Sequence, residues 1–229
     1  MKKAEVRKRM DEVGIVAAIR ERSKENALFA AEAVSQGGIP IVEISLTVPN
    51  AIDVITYLVK QDPALIVGAG SVLNLELAQA SLDAGAKFLT CDCLRVPIVE
   101  FAAKNEIVVF PGALTPSEVI TAWESGCDFV KVVPCALIGG DAYIESLHKM
   151  FPHIALIAAG GVNQQTASDY VLAGAVALGI GRELIPAQAI RQRQAARIHE
   201  LARRFAGFVK EARSGITPSR EGGNMKMPD

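Results

Sequence analysis

The sequence has few aromatic residues, little net charge and no long apolar run. Phe, Trp and Tyr make up 5% of its 229 residues, and 24 Lys and Arg residues nearly balance 25 Asp and Glu residues. The formal net charge of −1 gives no reason to expect nucleic acid or an acidic membrane surface as a partner. Because no apolar run approaches membrane-spanning length and residues 1–5 are charged, we expect neither a membrane segment nor a signal peptide.

Cysteine is also scarce, with four residues at positions 91, 93, 127 and 135. Cys91 and Cys93 flank a single residue, and no His or Cys pair at zinc-binding spacing follows them, so a structural zinc site is not expected. Together with the lack of a signal peptide, this usage predicts a cytoplasmic protein with reduced thiols. Half of the residues are hydrophobic, which is enough to bury one large core.

The apolar stretches that are present are short, and each is followed by a stretch typical of a helix. The apolar, mostly β-branched stretches predict strands at 13–19, 40–46, 65–68, 87–90, 107–110, 128–133, 155–158 and 175–180. Capping residues and apolar periodicity predict helices at 2–12, 24–36, 50–61, 75–84, 96–104, 116–125, 141–150, 164–173 and 187–212.

Eight strand–helix units in series favour an α/β fold, namely a single (β/α)₈ TIM barrel over residues 1–213 with an extra N-terminal helix. A doubly wound open sheet is the alternative, and the count of eight units disfavours it. The tail at 214–229 is rich in Gly, Pro and charge, and we expect it to be mobile.

Three charged residues interrupt or directly follow these apolar strands: Arg20, Glu43 and Lys131. Catalytic residues of such barrels lie at the carboxyl ends of the strands. Desolvation of Lys131 favours its neutral amine, which can form a Schiff base with a carbonyl group. Glu43 would then move protons and Arg20 would hold an anion. A lysine tolerated in the core, or a buried ion pair between Glu43 and Lys131, is the structural alternative.

Glycine-rich loops follow three of the predicted strands. Gly160 and Gly161 follow the seventh strand, and Gly181 with Arg182 follows the eighth, which are the usual positions of a barrel phosphate site. After the third strand, the Gly70 backbone and the Ser71 hydroxyl suit a carboxylate. Each loop alone is explained equally well as a tight turn or a helix cap. The presence of both loops after the seventh and eighth strands favours phosphate binding. It therefore also favours a catalytic role for Arg20, Glu43 and Lys131 over a structural one.

Six stretches together resemble the 2-keto-3-deoxy-6-phosphogluconate (KDPG) and 4-hydroxy-2-oxoglutarate aldolases. They are VEISLTVPNA at 42–51, VGAGSV at 67–72, PGALTPSE at 111–118, FVKVVP at 129–134, GGVN at 160–163 and GIG at 179–181. They stand in family order and spacing, and the resemblance covers roughly residues 13–210.

The resemblance implies a class I aldolase that assembles as a homotrimer and needs neither a metal nor an organic cofactor. It implies Lys131 as the Schiff-base lysine and Glu43 as the general acid and base. It also implies a set of substrate-binding residues: Arg20, Ser71 and the Gly70 backbone at the carboxylate, Thr47 at the same mouth, and Gly160, Gly161 and Gly181 at the phosphate. The substrate would be a 2-keto-3-deoxy sugar acid, 6-phosphorylated in the namesake case, cleaved to pyruvate and an aldehyde such as glyceraldehyde 3-phosphate.

Four residues depart from the pattern of that family: Asp92, Val133, Ala159 and Arg182. Cys91-Asp92 replaces a common Ser-Pro, so Asp92 brings a negative charge to the substrate pocket and would favour extra hydroxyl groups on the substrate. Arg182 replaces a common serine and would either strengthen phosphate binding or block the pocket. Two further functions therefore stay open from the sequence: a non-covalent phosphate-binding isomerase or synthase, and a non-catalytic barrel that binds a phosphorylated ligand.

Overall fold

The computed structural model describes residues 1–215, and residues 216–229 of the predicted tail lie outside the described residues. The strands are β1 Ile15–Ile19, β2 Ile41–Ser45, β3 Ile66–Gly70, β4 Phe88–Thr90, β5 Val108–Phe110, β6 Gly112–Ala113, β7 Val130–Val132, β8 Leu156–Ala159 and β9 Ala175–Ile180. All the pairings between neighbouring strands are parallel, in the order β5-β4-β3-β2-β1-β9-β8-β7-β6.

The sheet closes on itself at Pro111, the single residue that separates β5 from β6. Strands β5 and β6 are two halves of one barrel strand, since β5 pairs with β4 while β6 pairs with β7. The carbonyl of Pro111 still accepts a hydrogen bond from the Lys131 N–H at 2.9 Å, although proline has no N–H of its own to donate. Within residues 1–215, the strands thus occupy eight barrel positions, and the predicted TIM barrel is confirmed.

Helices surround the barrel, and three of those within residues 1–215 begin after a side chain that accepts a hydrogen bond from the first turn, namely Ser23, Asn74 and Thr115. They are α1 Lys3–Val13, α2 Lys24–Gln36, α3 Ala51–Gln61, α4 Leu75–Asp83, α5 Val96–Lys104, α6 Pro116–Glu124, α7 Asp141–Met150, α8 Ala167–Leu172, α9 Ala187–Arg191 and α10 Ala195–Gly215. The Ser23 hydroxyl accepts the Asn26 N–H at the start of α2, as expected for an N-cap. None of the helices within residues 1–215 is long and apolar enough to cross a membrane.

Two of the predicted helices differ from the structure. The helix predicted at 187–212 is divided into α9 and α10, because the chain turns at Arg193, whose φ of 51° is left-handed. The helix predicted from residue 164 starts at Ala167, since the Asn163 side chain accepts the Gln165 and Thr166 N–H groups and forms a turn. Helix α10 continues to Gly215, two residues into the predicted tail.

The barrel separates two apolar cores. The larger core lies between the strands and the outer helices, and the smaller one lies inside the barrel around Phe88, Phe110 and Phe129. Helix α1 covers the amino-terminal end of the barrel with the buried side chains of Val6 and Met10. The interior is therefore sealed at one end, and open space remains at the carboxyl ends of the strands, where a barrel enzyme has its active site.

Candidate active site

Strand alternation brings the charged residues of different strands into one cavity. Side chains on a strand point alternately to the two faces, so Val16, Ala18 and Arg20 all point into the barrel. The register aligns Ala18 of β1 with Glu43 of β2, and Lys131 of β7 with Ile157 of β8. Arg20, Glu43 and Lys131 therefore line the same cavity, of about 620 Å³. The sequence prediction that these three side chains converge is in agreement with the structure.

The charge of this cavity is mixed. Its described lining includes three cationic and four acidic side chains: Arg20, Lys131 and Arg182, and Glu21, Glu43, Asp92 and Glu183. Lys131 and Glu43 are each 3% exposed, whereas Arg20 and Arg182 are exposed at the rim. The two groups with predicted chemical roles are thus the most deeply buried of the charged groups that line the cavity.

Asp92, which follows β4, joins residues from three other strands. Its Oδ1 accepts a hydrogen bond from Lys131 Nζ at 3.0 Å, and its Oδ2 accepts one from Ser71 Oγ at 2.8 Å. Arg20 Nη2 contacts both carboxylate oxygens, at 2.9 and 3.0 Å. Burial by itself raises the pKa of Asp92, but Lys131, Ser71 and Arg20 outweigh burial and lower that pKa to about 2. Asp92 is therefore a carboxylate throughout the physiological pH range.

Glu43 has a different environment from Asp92. Within residues 1–215, its Oε1 is buried and has no hydrogen-bond partner. A Cβ at Gly70 would overlap this carboxylate, so the glycine leaves the space that the Glu43 side chain occupies. An unpaired buried carboxylate is costly in a folded protein, and such groups are commonly retained for chemistry. Glu43 is positioned to accept or donate a proton inside the cavity.

A hydroxyl network that the sequence did not reveal supports Asp92 from the second strand. The fully buried Ser45 lies 3.2 Å from Ser71 Oγ and 2.8 Å from Thr47 Oγ1. Ser45 lies two residues after Glu43, so strand alternation places both side chains on the same face of β2. This spacing is the sequence feature from which Ser45 could have been predicted as a site residue. Thr47 is exposed and contacts this network through Ser45, but it is not among the residues that line the cavity.

The glycines after β8 and β9 line the same cavity, on the side between Lys131 of β7 and Arg20 after β1. Gly160, Gly161, Gly181 and Arg182 all line it. Gly160 and Gly161 have φ values of 80° and 98°. A Cβ at Gly160 would lie 2.8 Å from Pro134 Cα, so close packing against the segment after β7 also requires glycine there. The cavity thus extends from Lys131 to a glycine-lined rim with one arginine.

Cysteine chemistry does not compete with Lys131 in this cavity. Burial raises the pKa of the Cys91 thiol to about 12, although the charge of Lys131 opposes the shift. Burial also raises the pKa of Cys135, whose thiol lies 3.6 Å from the Gly160 carbonyl oxygen. Both thiols stay protonated at neutral pH, and a protonated thiol is a poor nucleophile.

Comparison with known proteins identifies the family of this chain. A sequence profile described as "KDPG and KHG aldolase" matches residues 6–201. The KHG/KDPG aldolase of Escherichia coli (strain K12) is 30% identical over 189 residues, which cover 82% of this chain and 89% of that protein. The chain belongs to the KDPG and KHG aldolase family. The 2-dehydro-3-deoxy-6-phosphogalactonate aldolase of the same strain is also 30% identical to this aldolase, over 205 residues that cover 88% of this chain and 96% of that protein.

The fold of this aldolase agrees with that of a solved relative. The crystal structure of KDPG aldolase from Legionella pneumophila matches it with a TM-score of 0.80 at 26% identity, covering 89% of this chain and 97% of that one. In that crystal, pyruvate is captured at low pH as a covalent carbinolamine intermediate. Family membership makes this protein an aldolase, and it sets aside the isomerase, synthase and non-catalytic alternatives that the sequence left open.

Proposed function

We propose that this aldolase cleaves a 2-keto-3-deoxy sugar acid through a Schiff base on Lys131. The observation that carries the proposal is the combination, in one cavity, of a lysine that is 3% exposed and of Glu43, whose buried Oε1 has no hydrogen-bond partner in residues 1–215. A buried amine is a competent nucleophile once it is neutral, and an unpaired carboxylate is a competent proton acceptor.

The bond changes follow from those two groups. The amine of Lys131 adds to the C2 carbonyl of the substrate, and loss of water leaves a protonated imine. Glu43 takes the proton of the C4 hydroxyl, the C3–C4 bond breaks, and its electron pair moves toward the imine to form an enamine. The aldehyde leaves at this point. Protonation of the enamine at C3 and hydrolysis of the imine then release pyruvate and the free lysine.

The rest of the cavity supports binding of the two ends of such a substrate. Arg20 and Ser71 offer a guanidinium and a hydroxyl to the C1 carboxylate near Lys131. Gly70 and Thr47 complete that mouth. At the rim formed after β8 and β9, Gly160, Gly161, Gly181 and Arg182 offer backbone N–H groups and a positive charge to a 6-phosphate, which makes glyceraldehyde 3-phosphate the aldehyde product.

The same proposal includes a cytoplasmic homotrimer. Exposed apolar side chains support self-association, in particular Leu137, which is 83% exposed directly after the lysine strand, and Leu73, which is 51% exposed. Sedimentation equilibrium of the purified protein measures the assembly. A monomer at micromolar concentration contradicts this part of the proposal without affecting the chemistry.

The test of the chemistry is reductive trapping. Borohydride with pyruvate should add one reduced pyruvyl group to Lys131, and peptide mass spectrometry locates the adduct. Lys131→Met is the matched control and should take up none. A panel of KDPG, its C4 epimer, their unphosphorylated forms and 4-hydroxy-2-oxoglutarate, assayed for pyruvate release, then identifies the substrate. Intact folded protein that neither forms the adduct nor releases pyruvate from any of these compounds would refute the proposal.

A further inference from the structure

Asp92 is bound in the cavity as a ligand would be. Three donors from three strands converge on its carboxylate: Arg20 Nη2 on both oxygens, Ser71 Oγ at 2.8 Å and Lys131 Nζ at 3.0 Å. Two cations and a hydroxyl around one carboxylate form a complete anion site. The protein itself supplies the anion that fills this site.

The filled site is the one that a 2-oxo acid requires. Once Lys131 attacks C2, the C1 carboxylate lies one bond away from the reacting carbon and therefore beside Asp92. Arg20 and Ser71 cannot satisfy both carboxylates at full strength, and two carboxylates side by side repel each other. We propose that Asp92 occupies the carboxylate subsite, so that a 2-oxo acid has to displace it. Asp92 would thereby determine which carbonyl compound (the donor substrate) reacts with Lys131. The inference rests on the proposed Schiff-base function of Lys131.

The displacement occurs by side-chain rotation. The peptide between Asp92 and Cys93 packs directly on Gly112, where a Cβ would overlap the Asp92 backbone. This contact fixes the backbone of the loop. The Asp92 side chain itself is 37% exposed and faces the cavity mouth, so its carboxylate can turn into solvent while its backbone stays in place.

Asp92 acts on the donor in two separable ways. Its contact with Lys131 Nζ at 3.0 Å occupies the amine, which hinders attack on every carbonyl compound equally. Its hold on Arg20 and Ser71 hinders only those donors that carry a C1 carboxylate. The second effect is the repulsive element that creates selectivity, and a pair of donors that differ only in the charge at C1 isolates it.

Pyruvate and pyruvamide are such a pair. In both, Lys131 Nζ adds to C2 and water leaves, and borohydride then delivers hydride to the imine carbon to give a stable secondary amine. The trapping efficiency on Lys131 is measured as rate against donor concentration for the wild type, for Asp92→Asn and for Asp92→Ser. We expect both variants to raise the ratio of pyruvate to pyruvamide efficiency by about tenfold. Glu76→Gln, which removes one exposed acid of α4 outside the cavity lining, should leave the ratio unchanged.

Each outcome is decisive. Trapping at an unchanged or lower ratio in both folded Asp92 variants overturns the proposal, even if the absolute rates rise, because a general activation of the lysine changes both donors alike. Failure of one variant to fold leaves the other to decide, since serine and asparagine differ in size and hydrogen bonding. No adduct with either donor in any protein overturns the proposed function together with this inference, whereas trapping at an unchanged ratio overturns the inference alone.

Discussion

Strand β7 connects two lysine–aspartate ion pairs at opposite ends of the barrel. At the sealed end, Asp128 pairs with Lys3 of α1 at 3.0 Å, and at the open end Lys131 pairs with Asp92 at 3.0 Å. The buried partner differs between the two. The side chain of Asp128 is 6% exposed and that of Lys3 27%, whereas the side chain of Lys131 is 4% exposed and that of Asp92 37%.

The buried partner is the aspartate in the Asp128–Lys3 pair and the lysine in the Lys131–Asp92 pair. This difference suits the first pair to a structural role and the second to the proposed chemistry. Asp128 also accepts the Val109 N–H at 2.9 Å, so the buried carboxylate ties α1 and β5 to β7. Within residues 1–215, the ammonium of Lys131 has Asp92 as its single hydrogen-bond partner, and that partner reaches solvent. A buried amine whose single hydrogen-bond partner among these residues can turn away into solvent is suited to the proposed attack on a carbonyl carbon. The buried acid at the sealed end has no such freedom.

Removing the lysine of each pair gives the largest contrast. We expect Lys131→Met to lower kcat for pyruvate release by roughly 10⁴-fold or more, because it removes the proposed Schiff-base nucleophile. Lys3→Met should keep kcat within about twofold while lowering the free energy of unfolding by about 2 kcal/mol, between the values typical of exposed and buried pairs. Steady-state assays and urea denaturation measure the two quantities. A folded Lys131→Met enzyme with substantial turnover contradicts the assignment.

The buried acids of the two ends give the next contrast. Glu43→Gln should lower kcat by roughly 10²- to 10⁴-fold, since the proposed general acid–base group is lost. It should not lower stability, because Glu43 Oε1 has no hydrogen-bond partner to lose within residues 1–215. Asp128→Asn should do the reverse, with kcat retained and unfolding easier. Borohydride trapping with pyruvate should still label Glu43→Gln. Loss of labelling would place Glu43 in imine formation rather than in C3–C4 cleavage.

Two glycines of β3 test the boundary between the apolar barrel interior around Phe88 and the cavity that contains Glu43. A Cβ at Gly68 would overlap the Phe88 ring, and one at Gly70 would overlap the Glu43 carboxylate. Gly68→Ala should therefore cost about 1–3 kcal/mol of stability through overpacking. Gly70→Ala displaces the end of a flexible side chain and should lower kcat by about 10²-fold with little change in stability. Equal stability losses in the two variants would mean that no such boundary exists.

Much of this arrangement, with an apolar barrel interior below the charged cavity, could be predicted from the sequence. The strands are short apolar runs, and the charges of Glu43 and Lys131 stand out inside such runs. The (β/α)₈ pattern then predicts that both face the active-site end of the barrel, and in the structure each is the middle residue of its strand. The break at Arg193 could not be predicted, because the apolar periodicity continues through it and only the left-handed backbone marks the turn.

The contacts of Asp92 were beyond the sequence for a different reason. They join residues up to 72 positions apart along the chain and depend on the relative heights of four strands in the barrel. The residue itself was visible as a departure after β4. Its position between Arg20 and Lys131, and the supporting hydroxyl of Ser45, depend on barrel closure, which no local pattern encodes.

The acid dependence of stability gives the smallest and most specific contrast. The pKa of Asp92 is about 2 in the folded protein, against an ordinary value of 3.8, because Lys131, Ser71 and Arg20 outweigh the opposing effect of burial. A lowered carboxyl pKa means that the ionic contacts contribute fully above about pH 4 to 5 and are lost as the pH falls toward 2. Since Asp92 is partly exposed, solvent screening reduces this contribution to about 1 kcal/mol.

Urea denaturation of the wild type and of Asp92→Asn between pH 6 and pH 3 measures this contribution. The difference in unfolding free energy between the two proteins should be constant above about pH 5 and should shrink below it, because the unfolded wild-type chain takes up the proton first. Lys3→Met provides the comparison at the sealed end, since Asp92 and its partners are intact in that variant. It should therefore keep the Asp92-dependent acid loss of the wild type. A difference between wild type and Asp92→Asn that stays constant down to pH 3 would mean that Arg20, Ser71 and Lys131 do not hold the Asp92 carboxylate in solution. The contrast between the two ion pairs would then rest on burial alone.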